Sequence, residues 1–462
     1  MPRANTLASS VEIDVGEEPR ELARPEPETP FRILVAGNFS GGAGRNRMAI
    51  EIDRDNFDRV LARLAPELHL PFGTAPLPVS FRELDDFHPD RLFARLAPFQ
   101  ALRALRERLS DRATFPAAAA ELLPPAATPD PKLAKLSGAE LLSRMIGEEP
   151  HPPAAPQRTD WDRMLRELVA PYVEAKADPR QPELIAQVDA AIGGIMCAVL
   201  HHGEYQALEA AWRGLYFLIR RLETGEDLKV YLLDLPQAEL AGAAGLAALH
   251  RVAVEEASGT PGGAPWAVMA GLYCFGPEDE PALTQIAAIA RSAGAPFLAG
   301  LAPDVVGLAR VFEPLRRSRR ARWIGLALPR FLLRLPYGAK TDAIETFAFE
   351  EMPAAPEHER YLWGYPAIAC AYLLGEAFAQ YGWSFRPGAM RDIEGLPAHI
   401  YQHDGASEMK PCAEVLLTEE AAEVLLERGF MPLVSIKGTD CARLVRFQSI
   451  AEPNAPLAGR WE

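Results

Sequence analysis

A glycine-rich stretch near the amino end contains the residue types of a phosphate-binding loop. The segment FRILVAGNFSGGAGR runs from Phe31 to Arg45, and its apolar start predicts a buried strand that ends at Gly37. Glycines allow backbone N–H groups to approach an anion closely. These glycines lack the G-x-G-x-x-G spacing, however, and no Lys-Ser/Thr pair follows them. The pattern favours a strand-to-loop turn, and nucleotide binding by Gly37 to Gly44 is the alternative hypothesis.

Histidine pairs in the sequence do not have the spacing of a metal site. His201 and His202 are adjacent and therefore point about 100° apart on a helix, whereas helical metal ligands need an i, i+4 spacing. His399 and His403 have that spacing, but they flank a predicted strand and turn. The sequence predicts no bound metal.

The sequence also lacks the residue combinations that are typical of catalytic sites. It contains no G-x-S-x-G elbow and no recognisable Cys/His pairing. The adjacent acids Glu350–Glu351 and Asp85–Asp86 are expected to be exposed, without the unequal environments that separate two carboxyl pKa values. We expect no catalytic residue and no cofactor, and therefore a protein that is not an enzyme.

Arginines and aromatic residues suggest contacts with other proteins. The run RRSRRAR brings Arg316, Arg317, Arg319 and Arg320 together, and guanidinium groups form bidentate pairs with carboxylates of a neighbouring subunit. Segments such as AAWRGLYFLIRRL, which contains Trp212 and Arg213, mix aromatic and arginine residues as buried interfaces do. Nucleic-acid binding by the arginine run and an ordinary core role for the aromatic residues are the alternatives.

Composition indicates a globular protein outside the membrane. The 462 residues are 48% hydrophobic and carry a net charge of −15, which disfavours general binding to nucleic acid. No uninterrupted apolar run of about 18 residues and no signal peptide is found, so we expect a cytoplasmic location. Five widely spaced cysteines without a C-x-x-C motif predict reduced packing residues.

The chain shows five successive regions. We expect an acidic arm (1–30), followed by a small α/β unit (31–109) and an Ala/Pro-rich linker (110–160). A larger body (161–450) and a short tail (451–462) come after the linker. Within the arm, Val11, Ile13 and Val15 alternate with acids, which predicts a strand that is donated to another sheet.

The body alternates predicted helices and strands, which indicates a mixed α/β fold with sheets and flanking helices. One predicted helix carries Phe57, Val60, Leu61 and Leu64 on one stripe, and another carries Leu208, Trp212, Leu215, Ile219 and Leu222. Predicted strands include LKVYLLDL, PWAVMAGLYCFG, RWIGLALP, ETFAFEE, AHIY, AEVLLT and FMPLVSIK.

Several motifs in order resemble the large subunit of the type VI secretion contractile sheath. The helix pattern Leu-Glu-x-x-Trp-Arg-Gly-Leu occupies residues 208–215, and AGAPFLAGLAP, RWIGLALPRFLLRLPYG, FAFEE, YLWGYPA, IEGLPAHIY and EVLLTEEAAEVLLERGFMPLVSIKGTDCA follow it. The segment FRILVAGNFSG with IDRDNFDRVLARLAPEL resembles the start of the sheath small subunit. The chain therefore looks like a small-subunit segment fused to a large-subunit body.

This resemblance implies a mechanical role. In that family, small and large subunits assemble into a helical tubular polymer around an inner tube, and contraction drives the tube outwards. The implied partners are copies of itself, other sheath subunits, the tube protein, baseplate components and an AAA+ ATPase that disassembles the sheath. The large subunit of the family normally continues into a C-terminal interlocking domain, for which only SIAEPNAPLAGRWE remains here. Contraction, and a role limited to capping a sheath or sitting at the baseplate, are both open at this point.

Overall fold

The computed structural model describes residues 25–42, 44, 47–72, 75–122, 178–259, 264–303, 305 and 310–461. Its strands are β1 (Phe31–Gly37), β2 (Ile50–Ile52), β3 (Glu67–Phe72), β4 (Ala75–Ser80), β5 (Leu228–Asp234), β6 (Val268–Phe275), β7 (Phe297–Leu301), β8 (Ile324–Leu328), β9 (Phe331–Leu332), β10 (Trp363–Gly364), β11 (Asp392–Ile393), β12 (Ile400–His403), β13 (Ala406–Met409), β14 (Met431–Ser435) and β15 (Ala442–Leu444).

The described α-helices are α1 (Phe57–Leu64), α2 (Pro89–Arg95), α3 (Ala97–Ser110), α4 (Phe115–Leu122), α5 (Gln181–Leu200), α6 (Gly203–Arg221), α7 (Gln237–Leu240), α8 (Ala243–His250), α9 (Glu256–Gly259), α10 (Glu280–Ala293), α11 (Glu313–Arg316), α12 (Pro366–Tyr381) and α13 (Glu419–Glu427). A π-helical turn (Arg251–Glu255) separates α8 from α9, and short 3₁₀ helices include Leu84–Phe87 and Arg319–Trp323.

The main sheet contains nine strands in the order β11-β15-β14-β8-β7-β6-β1-β5-β2. The six central strands are parallel to one another, in the order β14, β8, β7, β6, β1 and β5. At one edge β2 pairs antiparallel with β5, and at the other β15 pairs antiparallel with β14 and β11 with β15. Three two-stranded sheets pair β3 with β4, β9 with β10 and β12 with β13. The mixed α/β prediction is confirmed.

Strand β1 lies inside this sheet, between β5 and β6, whose paired residues come 197 (228 − 31) and 235 (268 − 33) residues later. It pairs in parallel with β5 from Phe31 opposite Leu228 to Gly37 opposite Asp234. On its other side, Ile33 to Ala36 pair with Val268 to Gly271. The segment that resembles the small subunit and the segment that resembles the large subunit therefore build one sheet.

The central strands β7 and β8 are apolar along their whole length because both faces of the sheet are covered there. All five residues of β7 and of β8 are buried. Helix α12 packs on β6, β7 and β8, and α10 contributes Leu283, Ile286 and Ala290 to the core. Helix α10 ends where Gly294 adopts a φ of 63°, a left-handed conformation that glycine adopts without strain.

Both predicted helical stripes are confirmed. Phe57, Val60, Leu61 and Leu64 are the buried residues of α1. The five apolar residues of the second stripe, on α6 and its C-cap Leu222, are all at most 2% exposed.

Two predicted strands are wrong. ETFAFEE forms bends, and AEVLLT contributes only an isolated bridge between Ala413 and Phe331, because neither pairs along its length with a strand of the described residues. Helix α4 occupies residues that were predicted as linker, since Phe115, Ala118 and Ala119 provide a small buried face. Residues 123–177 lie outside the described part.

The chain divides into two compact units. One comprises Met1–His88, Val199–Ala343 and Glu350–Glu462, and includes the main sheet; the other comprises Pro89–Ala198 and Ile344–Phe349. In the second unit, Nε of Arg106 donates to Oδ1 of Asp189 at 2.6 Å, which joins α3 to α5. The boundaries after residues 30, 109, 160 and 450 stay predictions.

Helix α5 is long and apolar enough to cross a membrane, judged by length and composition alone. No membrane-spanning segment was expected from the sequence, and Glu183 and Asp189 lie within this helix. Core helices of soluble proteins have the same length and composition, so this helix by itself does not indicate a membrane span.

Candidate functional site: a buried ionic cluster and an arginine surface

The glycine-rich loop after β1 is filled by carboxylates of the chain itself. The N–H groups of Phe39 and Ser40 donate to Oδ1 of the fully buried Asp234 at 2.9 and 3.1 Å. The N–H of Gly44 donates to Oε1 of Glu239 at 2.8 Å. A phosphate at this position would meet two negative charges in place of free donors, so the geometry gives no support to nucleotide binding.

The glycines of the loop serve turning and close packing. Gly41 has a φ of 81°, which a side chain rarely adopts. A Cβ on Gly44 would lie 2.7 Å from the carbonyl oxygen of Asp234. The loop is therefore the predicted strand-to-loop turn, held against the end of β5.

A cluster of buried charges lies where α6 meets the chain that follows β8. The guanidinium of Arg334 lies between two carboxylates with no exposed surface. Its Nε donates to Oε1 of Glu209 at 2.9 Å, and its Nη1 and Nη2 donate to Oε2 and Oε1 of Glu351 at 2.8 and 3.1 Å. We call Glu209, Arg213, Arg334 and Glu351 the ionic cluster.

Neighbouring groups satisfy the remaining bonds of the ionic cluster. Nε of Arg213 donates to Oε1 of Glu209 at 2.7 Å, and its Nη2 donates to the hydroxyl of Tyr337 at 3.0 Å. The N–H of Tyr337 donates to Oε2 of Glu351 at 2.8 Å, and Nε2 of His201 lies 3.1 Å from Oε1. Two guanidiniums balance two carboxylates, so the cluster is neutral overall.

The pKa of Glu351 reflects this environment. Burial alone raises the pKa of a carboxyl group, but the charge of Arg334 and hydrogen bonds from His201, Arg334 and the Tyr337 N–H reverse this and lower it to about 2. Burial lowers the pKa of Arg334, and the charges of Glu209 and Glu351 more than reverse this, so it lies well above its ordinary value. Burial raises the pKa of Tyr337 to about 12.

The ionic cluster has the properties of a structural interaction and not of a reactive site. Each oxygen of Glu351 accepts two hydrogen bonds, which uses all four acceptor positions of a carboxylate. No lone pair is left to accept a substrate proton or to bind a metal. The cluster instead holds Arg334 and Glu351 against α6.

Sequence reasoning missed this cluster. Glu350 and Glu351 were expected to be exposed, but Glu351 is fully buried because it faces Arg334. Asp86 was also expected to be exposed. It is only 7% exposed, and its carboxylate accepts hydrogen bonds from the N–H groups of Arg82 and Glu83. A usable signal exists in α6, where Glu209 and Arg213 lie four residues apart beside Trp212, within an otherwise apolar stretch.

Trp212, predicted at an interface between subunits, lies instead in the core of its own chain. It has no exposed surface, its Nε1 donates to the carbonyl of Phe39 at 3.0 Å, and its ring meets Phe39 and Phe57 edge to face. A side chain without exposed surface cannot contact a partner in this conformation. Arg213 is 22% exposed and pairs with Glu209 of the same chain.

The predicted arginines form a surface around α11 and the following 3₁₀ turn. We call Arg316, Arg317, Arg319 and Arg320 the arginine surface. Nε of Arg316 donates to the carbonyl of Ile450 at 3.0 Å, and Nη2 of Arg317 lies 3.7 Å from Glu313. Arg317 and Arg319 are exposed and Arg320 is half-buried, and neither Arg319 nor Arg320 has an acidic partner in the described part of the chain.

The predicted donated strand, the histidines and the cysteines differ in how far the structure describes them. Val11, Ile13 and Val15 lie outside the described residues, so their role stays a prediction. The described residues contain no group of three or more metal-ligating side chains. His399 is buried and lies 2.6 Å from the hydroxyl of Tyr361, and the five cysteines carry free thiols.

Comparison with known proteins identifies the family. A family model described as VipB, "EvpB/VC_A0108, tail sheath N-terminal domain", matches residues 182–314 and 310–451, which is more than half of the chain. The chain belongs to the type VI secretion sheath family. A second family model, "Type VI secretion system, VipA, VC_A0107 or Hcp2", matches residues 11–115 of this sheath-family chain.

A characterised relative supports this assignment. The chain is 34% identical over 321 residues to the type VI secretion system sheath protein TssC1 of Pseudomonas aeruginosa. The match covers 60% of this chain and 64% of TssC1, so the chain spans less than two thirds of that relative.

Three of the motifs that carry the resemblance meet in the ionic cluster. Glu209 and Arg213 belong to the Leu-Glu-x-x-Trp-Arg-Gly-Leu helix, Arg334 to RFLLRLPYG and Glu351 to FAFEE. The motifs of this sheath-family chain thus include charged residues that hold distant segments together.

Proposed function

We propose that this protein is a structural subunit of a type VI contractile sheath that carries the small-subunit and large-subunit parts in one chain. The observation that supports this most directly is the position of β1, which pairs with β5 over seven residues and with β6 over four. Since β1 belongs to the region matched by the VipA model, and β5 and β6 to the region matched by the VipB model, the two parts are joined in a fixed one-to-one ratio.

The proposed subunit assembles into a helical tube and drives delivery by contraction. An open head-to-tail contact between copies produces a helix. Contraction requires each contact to have two packings that differ by a few kcal/mol. The fully satisfied ionic cluster suits this role, because a rigid subunit transmits movement at its contacts without deforming internally.

The wider context of the protein is part of the same proposal. The subunit acts in the cytoplasm without catalysing a reaction, around an inner tube, beside baseplate proteins, and an AAA+ ATPase recycles the contracted sheath. The acidic arm, with Val11, Ile13 and Val15, adds a strand to the sheet of a neighbouring subunit. The arginine surface pairs with carboxylates of a partner.

Electron microscopy of the purified protein, alone and with the products of neighbouring genes, tests this proposal. We expect helical tubes or tube segments. A monomer that never joins a tube or tail structure under any of these conditions contradicts the proposal. Short caps in place of long tubes would restrict the role to the end of a sheath.

Deletion of residues 1–30 tests the donated strand. We expect weaker self-association on a sizing column, because the strand would lose its place in the neighbouring sheet. Unchanged assembly would remove the arm from the proposal.

Reversal of Arg316, Arg317, Arg319 and Arg320 to Glu tests the arginine surface. We expect this change to reduce assembly more at low salt than any single Ala substitution, because low salt screens charge least. Normal polymers would count against the arginine surface.

A further inference from the structure

Helix α13 presents an acidic stripe that no cation of the described chain neutralises. Glu419, Glu423 and Glu427 follow one another at a spacing of four residues, and all three are exposed. Like charges at this spacing destabilise a helix. None of these carboxylates, nor Glu420 beside them, has an ion-pair partner among the described residues.

Exposed apolar side chains accompany the acidic stripe. Val424 on the helix is 41% exposed, and Val415 and Leu416 just before it are 49% and 56% exposed. They are three of the seven large apolar residues that are exposed in the described part of the chain. We call Val415, Leu416, Val424 and the four glutamates the α13 face.

The arginine surface has the complementary charge. Arg319 and Arg320 lie near one another in the 3₁₀ turn before β8 and have no acidic partner in the ranges that the structure describes. The aliphatic parts of arginine side chains also cover apolar groups such as Val424 and Leu416. Each surface therefore carries the charge that the other lacks.

We propose that the arginine surface of one copy of this chain docks on the α13 face of the next copy. This contact rests on the proposed assembly of copies and adds to it the two surfaces that meet. It joins two different surfaces, so the same contact can repeat from copy to copy and extend a polymer. Opposite charges fix the orientation in which two copies meet.

A reciprocal charge reversal tests the contact. One variant carries Arg319→Glu and Arg320→Glu, and a second carries Glu420→Arg and Glu423→Arg. Each is examined alone, in an equal mixture with the other, and with all four changes in one chain. Sizing chromatography and electron microscopy measure assembly, and urea unfolding shows that each variant is folded.

We expect each two-residue variant to lose the polymer, because the two reversed side chains then face like charges and their surface no longer has a net charge. In the mixture, the reversed side chains of one variant can again meet opposite charges on the other. In the four-change chain the signs at the four substituted positions are exchanged, so both are expected to restore the polymer. A matched control, Arg59→Glu with Arg63→Glu, changes two exposed arginines of α1 and is expected to assemble normally.

Several results would overturn the contact. Normal polymers from either two-residue variant would show that the surface it alters is not needed. A second result is loss of assembly in the two-residue variants that is restored by neither the mixture nor the four-change chain. This result would show that the two surfaces meet other partners, including nucleic acid at the arginines. If the unmodified protein forms no polymer, the proposed function itself fails, which separates the two hypotheses.

Discussion

The ionic cluster and the arginine surface contain the same kinds of side chain in opposite environments. Arg334 is 8% exposed and lies between Glu209 and Glu351, while Arg317 is 66% exposed and only approaches Glu313. A buried charge must be fully paired because desolvation is expensive. An exposed charge keeps its water and contributes little to folding, which leaves it available for another molecule. Burial therefore separates the charges that are paired within the chain from those that stay available to another molecule.

The largest expected effect is that of Arg334→Ala. This change leaves two buried carboxylates without their shared cation, and we expect the free energy of unfolding to fall by about 3–5 kcal/mol. Urea unfolding measures it, with Arg317→Ala as the exposed control. If the alanine variant does not fold, Arg334→Lys retains the charge and should lose less. Equal stability of Arg334→Ala and the control would remove the distinction between the two regions.

Acid should weaken the ionic cluster selectively. The pKa of Glu351 is about 2, below its ordinary 4.5, so its contribution to stability is present above pH 4.5 and is lost as the pH falls towards 2. The shift corresponds to about 3 kcal/mol. In Glu351→Gln the side chain does not titrate, and we expect the stability difference from the unmodified protein to shrink between pH 5 and pH 2. A constant difference over this range would contradict the assignment.

Removal of the carboxylate inside the glycine-rich loop should have a smaller effect. Asp234→Ala leaves the buried N–H groups of Phe39 and Ser40 without their acceptor, with an expected cost of about 1–3 kcal/mol. Thermal or urea unfolding measures it, and the exposed Asp227→Ala, just before the same strand, serves as control. A variant as stable as the control would mean that the loop does not depend on Asp234.

The smallest expected effect on folding lies on the arginine surface. Arg319→Ala with Arg320→Ala should change the free energy of unfolding by no more than about 0.5 kcal/mol, because neither side chain is paired in the described part of the chain. Urea unfolding of the dilute protein measures it. A loss comparable to that of Asp234→Ala would place these arginines among the residues that hold the subunit together.

The sequence alone determined the elements whose pattern is local. The stripes of α1 and α6, the apolar runs of β1 and β5 to β8, and the stop of α10 at Gly294 all follow from the spacing of apolar residues and from glycine conformation. The motif order also indicated the family. Wrong predictions fell where this local signal is ambiguous, since ETFAFEE and AEVLLT have the composition of strands but pair with no strand among the residues that the structure describes.

Only the tertiary structure decided which charges are buried and which segments share a sheet. Glu351 and Glu350 are adjacent in sequence, yet Glu351 alone faces Arg334 and is fully buried, a difference created by contacts with distant residues. In the same way, β1 shows its apolar character in the sequence but not its neighbours, because the pairing of β1 with β5 and β6 depends on how the whole chain folds back. Local patterns fix the elements, and long-range packing fixes their partners.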